Sequence, residues 1–190
     1  DNALSQTARW KQAGLDVQVA VNVSARDVTS EDFTTYIIER LRHYDLSPQT
    51  LTIEITETAM VKEPQSARKC LQILDRFGVK FAIDDFGTGF SSLSYLRELP
   101  VDAVKIDRGF VSAMLEDAGS RVIVKSTIEL AHSLSLRAIA EGVENAETLQ
   151  ALRALGCDFA QGYYFGKPLT AQAFTSWVEH QSRRFMTREP

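Results

Sequence analysis

The stretch FAIDDFG, residues 81–87, sets two adjacent aspartates, Asp84 and Asp85, at the end of a continuous apolar run. A short apolar run that does not alternate reads as a strand buried on both faces of a parallel sheet. Carboxylates do not belong there, because burying one unpaired costs on the order of several kcal/mol. The pattern recurs along the chain: Asn22 in VAVNVS, Glu54 and Glu57 in LTIEITE, Lys105 and Asp107 in AVKID, Glu141 and Glu144 in AIAEGVE, and Gln161 in FAQGYY. So many buried acids need a shared compensating charge, and a bound divalent cation supplies one.

Outward from residues 81–87 the sequence alternates strand and helix. The spacing predicts buried parallel strands near Val17–Val23, Leu51–Thr56, Val79–Asp84, Ala103–Ile106, Ala138–Ala140 and Phe159–Tyr163. Helical spacing follows each of them. It links Phe33, Tyr36, Ile37 and Leu41, then Ala67, Cys70, Leu71 and Leu74, then Val122, Ile123, Ser126, Thr127 and Leu130, then Leu149, Leu152 and Leu155, and last Phe174, Trp177 and Val178. Alternation of this kind gives an α/β protein with a parallel sheet and right-handed crossovers.

An open sheet and a closed barrel both fit that alternation, and the polar residues separate them. Each lies at the carboxyl end of its strand, which is the functional rim of a (β/α) barrel. An open sheet would spread six strand ends over ~25 Å at ~4.8 Å per strand, too far for one metal cluster. The expectation is a TIM-type (β/α) barrel, incomplete at its N-terminus, with six of the strands present. It forms one domain over residues 1–190, with a core of about 17–169 and a C-terminal helix of about 171–182.

The bulk properties are those of a globular domain. The chain has 190 residues, 44% hydrophobic and 24% charged, and a net charge of −4. That charge gives no reason to expect a nucleic-acid polymer or an anionic membrane as partner. No apolar run reaches the ~18 residues of a membrane span. Cys70 and Cys157 lie far apart without CxxC spacing and read as free thiols. A cytoplasmic location is expected, with the parent protein able to be membrane-tethered.

Asn22, Glu54, Asp84, Asp85 and Glu141 form an oxygen-rich set that suits Mg²⁺ or Mn²⁺ and would serve zinc poorly. His43 and His132 fall in helical stretches, and His180 is also remote from any strand end. A carboxylate that bridges two ions beside one that binds a single ion is common in two-metal phosphoesterases. Lys105, inside an apolar strand, must point at an anion, a carboxylate or a carbonyl substrate. In DFGTGFSSLSYL, residues 85–96, the glycines and serines read as a tight turn into a helix near Ser91, or as a loop that orders the aspartates.

Taken in order, VNVSARDV, LTIEITET, FAIDDFGTGFSSL, VDAVKIDRGFV, AIAEGVEN and GCDFAQGYYFGKPL resemble the EAL family of cyclic diguanylate (c-di-GMP) phosphodiesterases, over about Val17 to Leu169. The resemblance implies a modified TIM barrel with two Mg²⁺ or Mn²⁺ ions and hydrolysis of c-di-GMP to linear pGpG in bacterial signalling. By similarity, Asn22, Glu54 and Asp84 would hold one ion, and Asp84 and Asp85 the other, with Glu141 on it or on its water. Lys105, held by Asp107, would orient the attacking water; these two and Glu141 are the catalytic residues expected. Glu57 and Glu144 would anchor the loop over residues 85–92, and Gln161 would bond a guanine edge.

The Glu-Ala-Leu triplet that names the family is absent. The helix at Asp1 is similar to the segment that follows that triplet, so the resemblance implies that the two earliest strands are cut off rather than mutated. One ligand of the first ion would then be missing, which bears on the activity of this chain. A smaller departure is Phe90, where a tyrosine is more usual. The resemblance also implies sensor or cyclase domains in the parent, and it is compatible with a homodimer using the region from Val111 to Ser135. The alternatives are a catalytically inactive c-di-GMP receptor and an aldolase or isomerase with Lys105 as imine former.

Overall fold

The computed structural model describes residues 1–56, 64–88 and 96–186. Its centre is a parallel sheet of β1 (Val19–Asn22), β2 (Leu51–Thr56), β3 (Lys80–Phe86), β4 (Ala103–Ile106), β5 (Arg137–Ala140) and β6 (Phe159–Ala160). The strands lie in sequence order, each hydrogen-bonded to the next in parallel. The sheet curls into a half-barrel whose edges are β1 and β6, an incomplete barrel as the rim pattern requires. Among the described residues the helices are α1 (Asn2–Gln12), α2 (Ala25–Val28), α3 (Glu31–His43), α4 (Pro64–Phe77), α5 (Arg108–Ala113), α6 (Ala118–Ser133), α7 (Ala146–Ala154) and α8 (Ala171–Met186).

Register explains how apolar strands carry charge. Partnered residues of parallel strands point the same way, and side chains alternate faces along each strand. One face carries Leu51, Ile53, Ile55, Phe81, Ile83, Val104, Ile106, Ala138 and Ala140, all fully or nearly buried. The helices cover it. On the other face, inside the curl, Asn22 pairs with Glu54, Glu54 with Ala82, Thr56 with Asp84, and Lys105 with Ile139. Apart from Ile139, the residues of these pairs are small or polar and leave room at the strand ends.

Several boundaries differ from expectation. β1 and β6 are shorter than predicted, and the chain beyond β6 folds into a turn in which the Tyr164 amide bonds the Val143 carbonyl at 3.0 Å. Phe159 is half-exposed, so β6 is an edge and not a buried strand. β3 is longer and carries both aspartates. On α6 the buried stripe is Ser120, Val124, Thr127, Ile128 and Ala131, while Val122 faces solvent. On α3, Ile37 and Leu41 are buried and Tyr36 is exposed. Cys70 and Cys157 are free. Among the described residues no helix is long and apolar enough to cross a membrane.

Candidate metal and active site

Of the polar residues expected at the strand ends, Asn22, Glu54, Asp84, Lys105, Glu141 and Gln161 lie on one face. Pairing continues past β5 and β6, with the Glu141 amide on the Ile106 carbonyl at 3.2 Å and the Gln161 amide on the Ala140 carbonyl at 2.8 Å. Glu141 and Gln161 therefore keep the parity of Ile139 and Phe159, the face of Asn22, Glu54, Asp84 and Lys105. Asp85 has the wrong parity. The register of β3 against β4 shifts between Ile83 and Phe86, and Asp85 takes φ +53, which turns its side chain back toward the same mouth. One carboxylate oxygen each from Asp84, Asp85 and Glu141 lie within 4.8 Å of one another.

Lys105 sits at the middle of this group, only 3% exposed. Its ammonium contacts Glu54 at 2.8 Å, Asp84 at 3.0 Å and Glu141 at 2.6 Å. Those three carboxylates come from β2, β3 and the end of β5, and they use all three donors of the lysine. Burial pulls the lysine toward neutrality, but the bonds to Glu141, Glu54 and Asp84 outweigh it and hold the ammonium charged well beyond its ordinary range. Burial raises the Glu141 carboxyl above its usual value, against the pull of Lys105. Asp85 is raised by burial and further by the charges of Asp84 and Asp107. Gln161 donates its amide to Glu141 at 2.6 Å.

Other expected residues fall elsewhere. Asp107 does not hold Lys105: its carboxylate accepts from the Gly109 amide at 2.9 Å and caps α5, because it is the last residue before that helix. Asn22 is exposed beside Glu54, its register partner. Glu144 is exposed on the wall of a cavity. Glu57, Gly89, Phe90, Ser91 and Ser92 lie outside the described residues. His132 is remote from the rim and pairs with Asp158 at 2.9 Å.

The rim opens into a cavity of about 730 Å³ lined by Arg108, Glu141, Glu144, Gln161, Tyr163 and Trp177, among others. That is the size of a small-molecule site. Two glycines make the wall possible. A Cβ on Gly142, at φ +69, would stand 2.6 Å from Cβ of Arg108, and one on Gly162 would stand 2.3 Å from the Val143 carbonyl oxygen. Sequence reasoning missed Arg108, Gly142 and Gly162. Their signal was only their place next to Asp107, Glu141 and Gln161.

The donors fit a hard divalent ion. They are carboxylate oxygens with one amide, Asn22, beside them, and among the described residues no histidine or cysteine joins the group. An ion at about 2.0–2.1 Å from each oxygen would need them within about 4.2 Å, so a small contraction seats it.

The model of the family described as EAL domain matches residues 1–168. Signaling protein YkoW of Bacillus subtilis is 40% identical over 95% of this chain and 23% of its own length. Cyclic di-GMP phosphodiesterase PdeR of Escherichia coli is 33% identical over 96% of this chain and 28% of its own length. The chain thus spans about a quarter of the curated relatives it matches. A solved structure described as the MucR phosphodiesterase with c-di-GMP, a Pseudomonas aeruginosa protein, superposes with a TM-score of 0.87 at 35% identity, covering 91% of this chain and 70% of that one. Rim register, converging acids and sequence likeness meet in one conclusion: this chain belongs to the EAL domain family.

Proposed function

We propose that this domain hydrolyses c-di-GMP to linear pGpG with two Mg²⁺ or Mn²⁺ ions, as part of a longer cytoplasmic signalling protein. The observation that carries the reading is the placement of Asp84. It lies on β3 beside β2, which carries Glu54, and one of its oxygens falls within 4.8 Å of oxygens of Asp85 and Glu141, which supports a carboxylate shared by two ions. Asn22, Glu54 and Asp84 would hold one ion, and Asp84, Asp85 and Glu141 the other. When bound, such a pair neutralises phosphoryl charge and makes water nucleophilic near neutral pH.

The remaining groups act around that centre. Lys105, kept cationic, stabilises the charge that develops on the phosphoryl oxygens and orients the attacking water. Gln161 steadies Glu141 and borders the cavity, where its amide stands to meet a guanine edge. Arg108 adds a cation on the same wall. An imine mechanism gains no support, since a lysine locked as ammonium by three carboxylates is a poor nucleophile.

The test is incubation of the chain with c-di-GMP and Mn²⁺, with products resolved by chromatography. Linear pGpG is expected. Asp84→Asn should lower its formation by at least ~10³-fold, the scale of losing a principal electrostatic stabiliser. Tight nucleotide binding without product would replace the hydrolase reading with the receptor one. A borohydride-trapped adduct on Lys105 would replace it with the imine one.

A further inference from the structure

Three carboxylates that the proposed function assigns to metal ions are all bonded to one ammonium. Lys105 reaches Glu54, Asp84 and Glu141 at 2.8, 3.0 and 2.6 Å from a site 3% exposed. It contacts the same Glu141 oxygen, Oε1, that accepts from Gln161, and the same Asp84 oxygen, Oδ1, that accepts from the Asp85 amide. The ammonium therefore draws on the same carboxylates that the ions would use. A buried cluster of this many acids would be untenable with no cation. One is built in.

We propose that Lys105 acts as the site's own cation and competes with incoming divalent ions for Glu54, Asp84 and Glu141. It keeps the acids converged when no ion is bound, and it weakens ion binding in return. Two like charges drawing on the same oxygens repel strongly where water is scarce. Each ion entering must take over oxygens that Lys105 held, which frees the lysine to face substrate. The inference rests on the two-metal reading but concerns this side chain alone.

Isothermal titration of the chain with Mn²⁺, compared with Lys105→Met and Lys105→Arg, tests it. Lys105→Met is expected to bind Mn²⁺ at least about tenfold tighter, by loss of a cation from the ligand set. Its melting temperature without metal should fall, and saturating Mn²⁺ should narrow that gap. Lys105→Arg keeps the charge and should stay within about threefold of the parent affinity. Affinity unchanged or weakened in Lys105→Met would overturn the proposal.

Should Lys105→Met fail to fold, the unmutated chain answers. The ¹⁵Nζ resonance of Lys105 should be sharp and slow to exchange its protons without metal, and should shift and exchange faster as Mg²⁺ is added. An ammonium signal indifferent to Mg²⁺ that demonstrably binds would overturn the proposal just as well. If Mn²⁺ binds neither protein, the two-metal reading fails. If it binds both alike, only the competition does.

Discussion

Asp85 shows how a single residue joins fold to chemistry. Strand parity would send its side chain to the helix-covered face, and φ +53, which aspartate tolerates better than most residues, returns it to the mouth. The result is a carboxyl pushed above its ordinary range by burial and by Asp84 and Asp107. An acid whose folded pKa is raised stabilises the fold below its unfolded pKa, and that contribution is lost as pH rises through the folded value. Asp85→Asn should therefore raise the melting temperature of the metal-free protein at pH 7 and have little effect near pH 4; melts in chelator at the two pH values check this. Gly142 is a second such residue. Gly142→Ala would place a Cβ at φ +69 and 2.6 Å from Arg108 Cβ. The expected cost is about 1–3 kcal/mol, read from urea midpoints, with weaker Mn²⁺ binding because Glu141 is displaced.

Elements hold the rim through their ends. Glu141 and Glu144 lie on the connection between β5 and α7, whose helix starts where the Asn145 side chain accepts from the Thr148 amide at 2.8 Å. Asn145→Ala should destabilise by about 1 kcal/mol, and Asn145→Asp, which caps equally well, should restore it. Thermal melts of both variants decide this. In the same way Asp107 serves α5, so the acid two residues beyond Lys105 is spent on a helix cap and the lysine takes its partners from other strands. Helical spacing in α6 gave the element but not its buried face. Val122 and Ile123 are as apolar as Val124 and Ile128, and only packing against β4 and β5 selects among them.

Over the whole molecule, the half-barrel is fastened where its first and last helices meet. Trp10 of α1 donates its indole N–H to Thr175 of α8 at 2.9 Å, and its ring lies 4.9 Å from that of Phe174. Trp10→Ala should lower stability by on the order of 2 kcal/mol through lost burial and hydrogen bonding, measured by urea unfolding, and should deform the cavity that Trp10 also lines. The parallel strands were legible because short apolar runs without alternation, bounded by turn residues, suit a strand covered on both faces. The rim was legible because Asp84, Lys105 and Glu141 violate those runs. The sequence by itself determined the fold class and that Glu54, Asp84, Asp85, Lys105 and Glu141 crowd the mouth, since both follow from local pattern and the cost of buried charge. Which acid meets which partner was decided only by register and curl. Lys105 finds Glu54, 51 positions away, because β2, β3 and β4 lie side by side and point the same side chains inward, a three-dimensional relation that spacing along the chain does not encode.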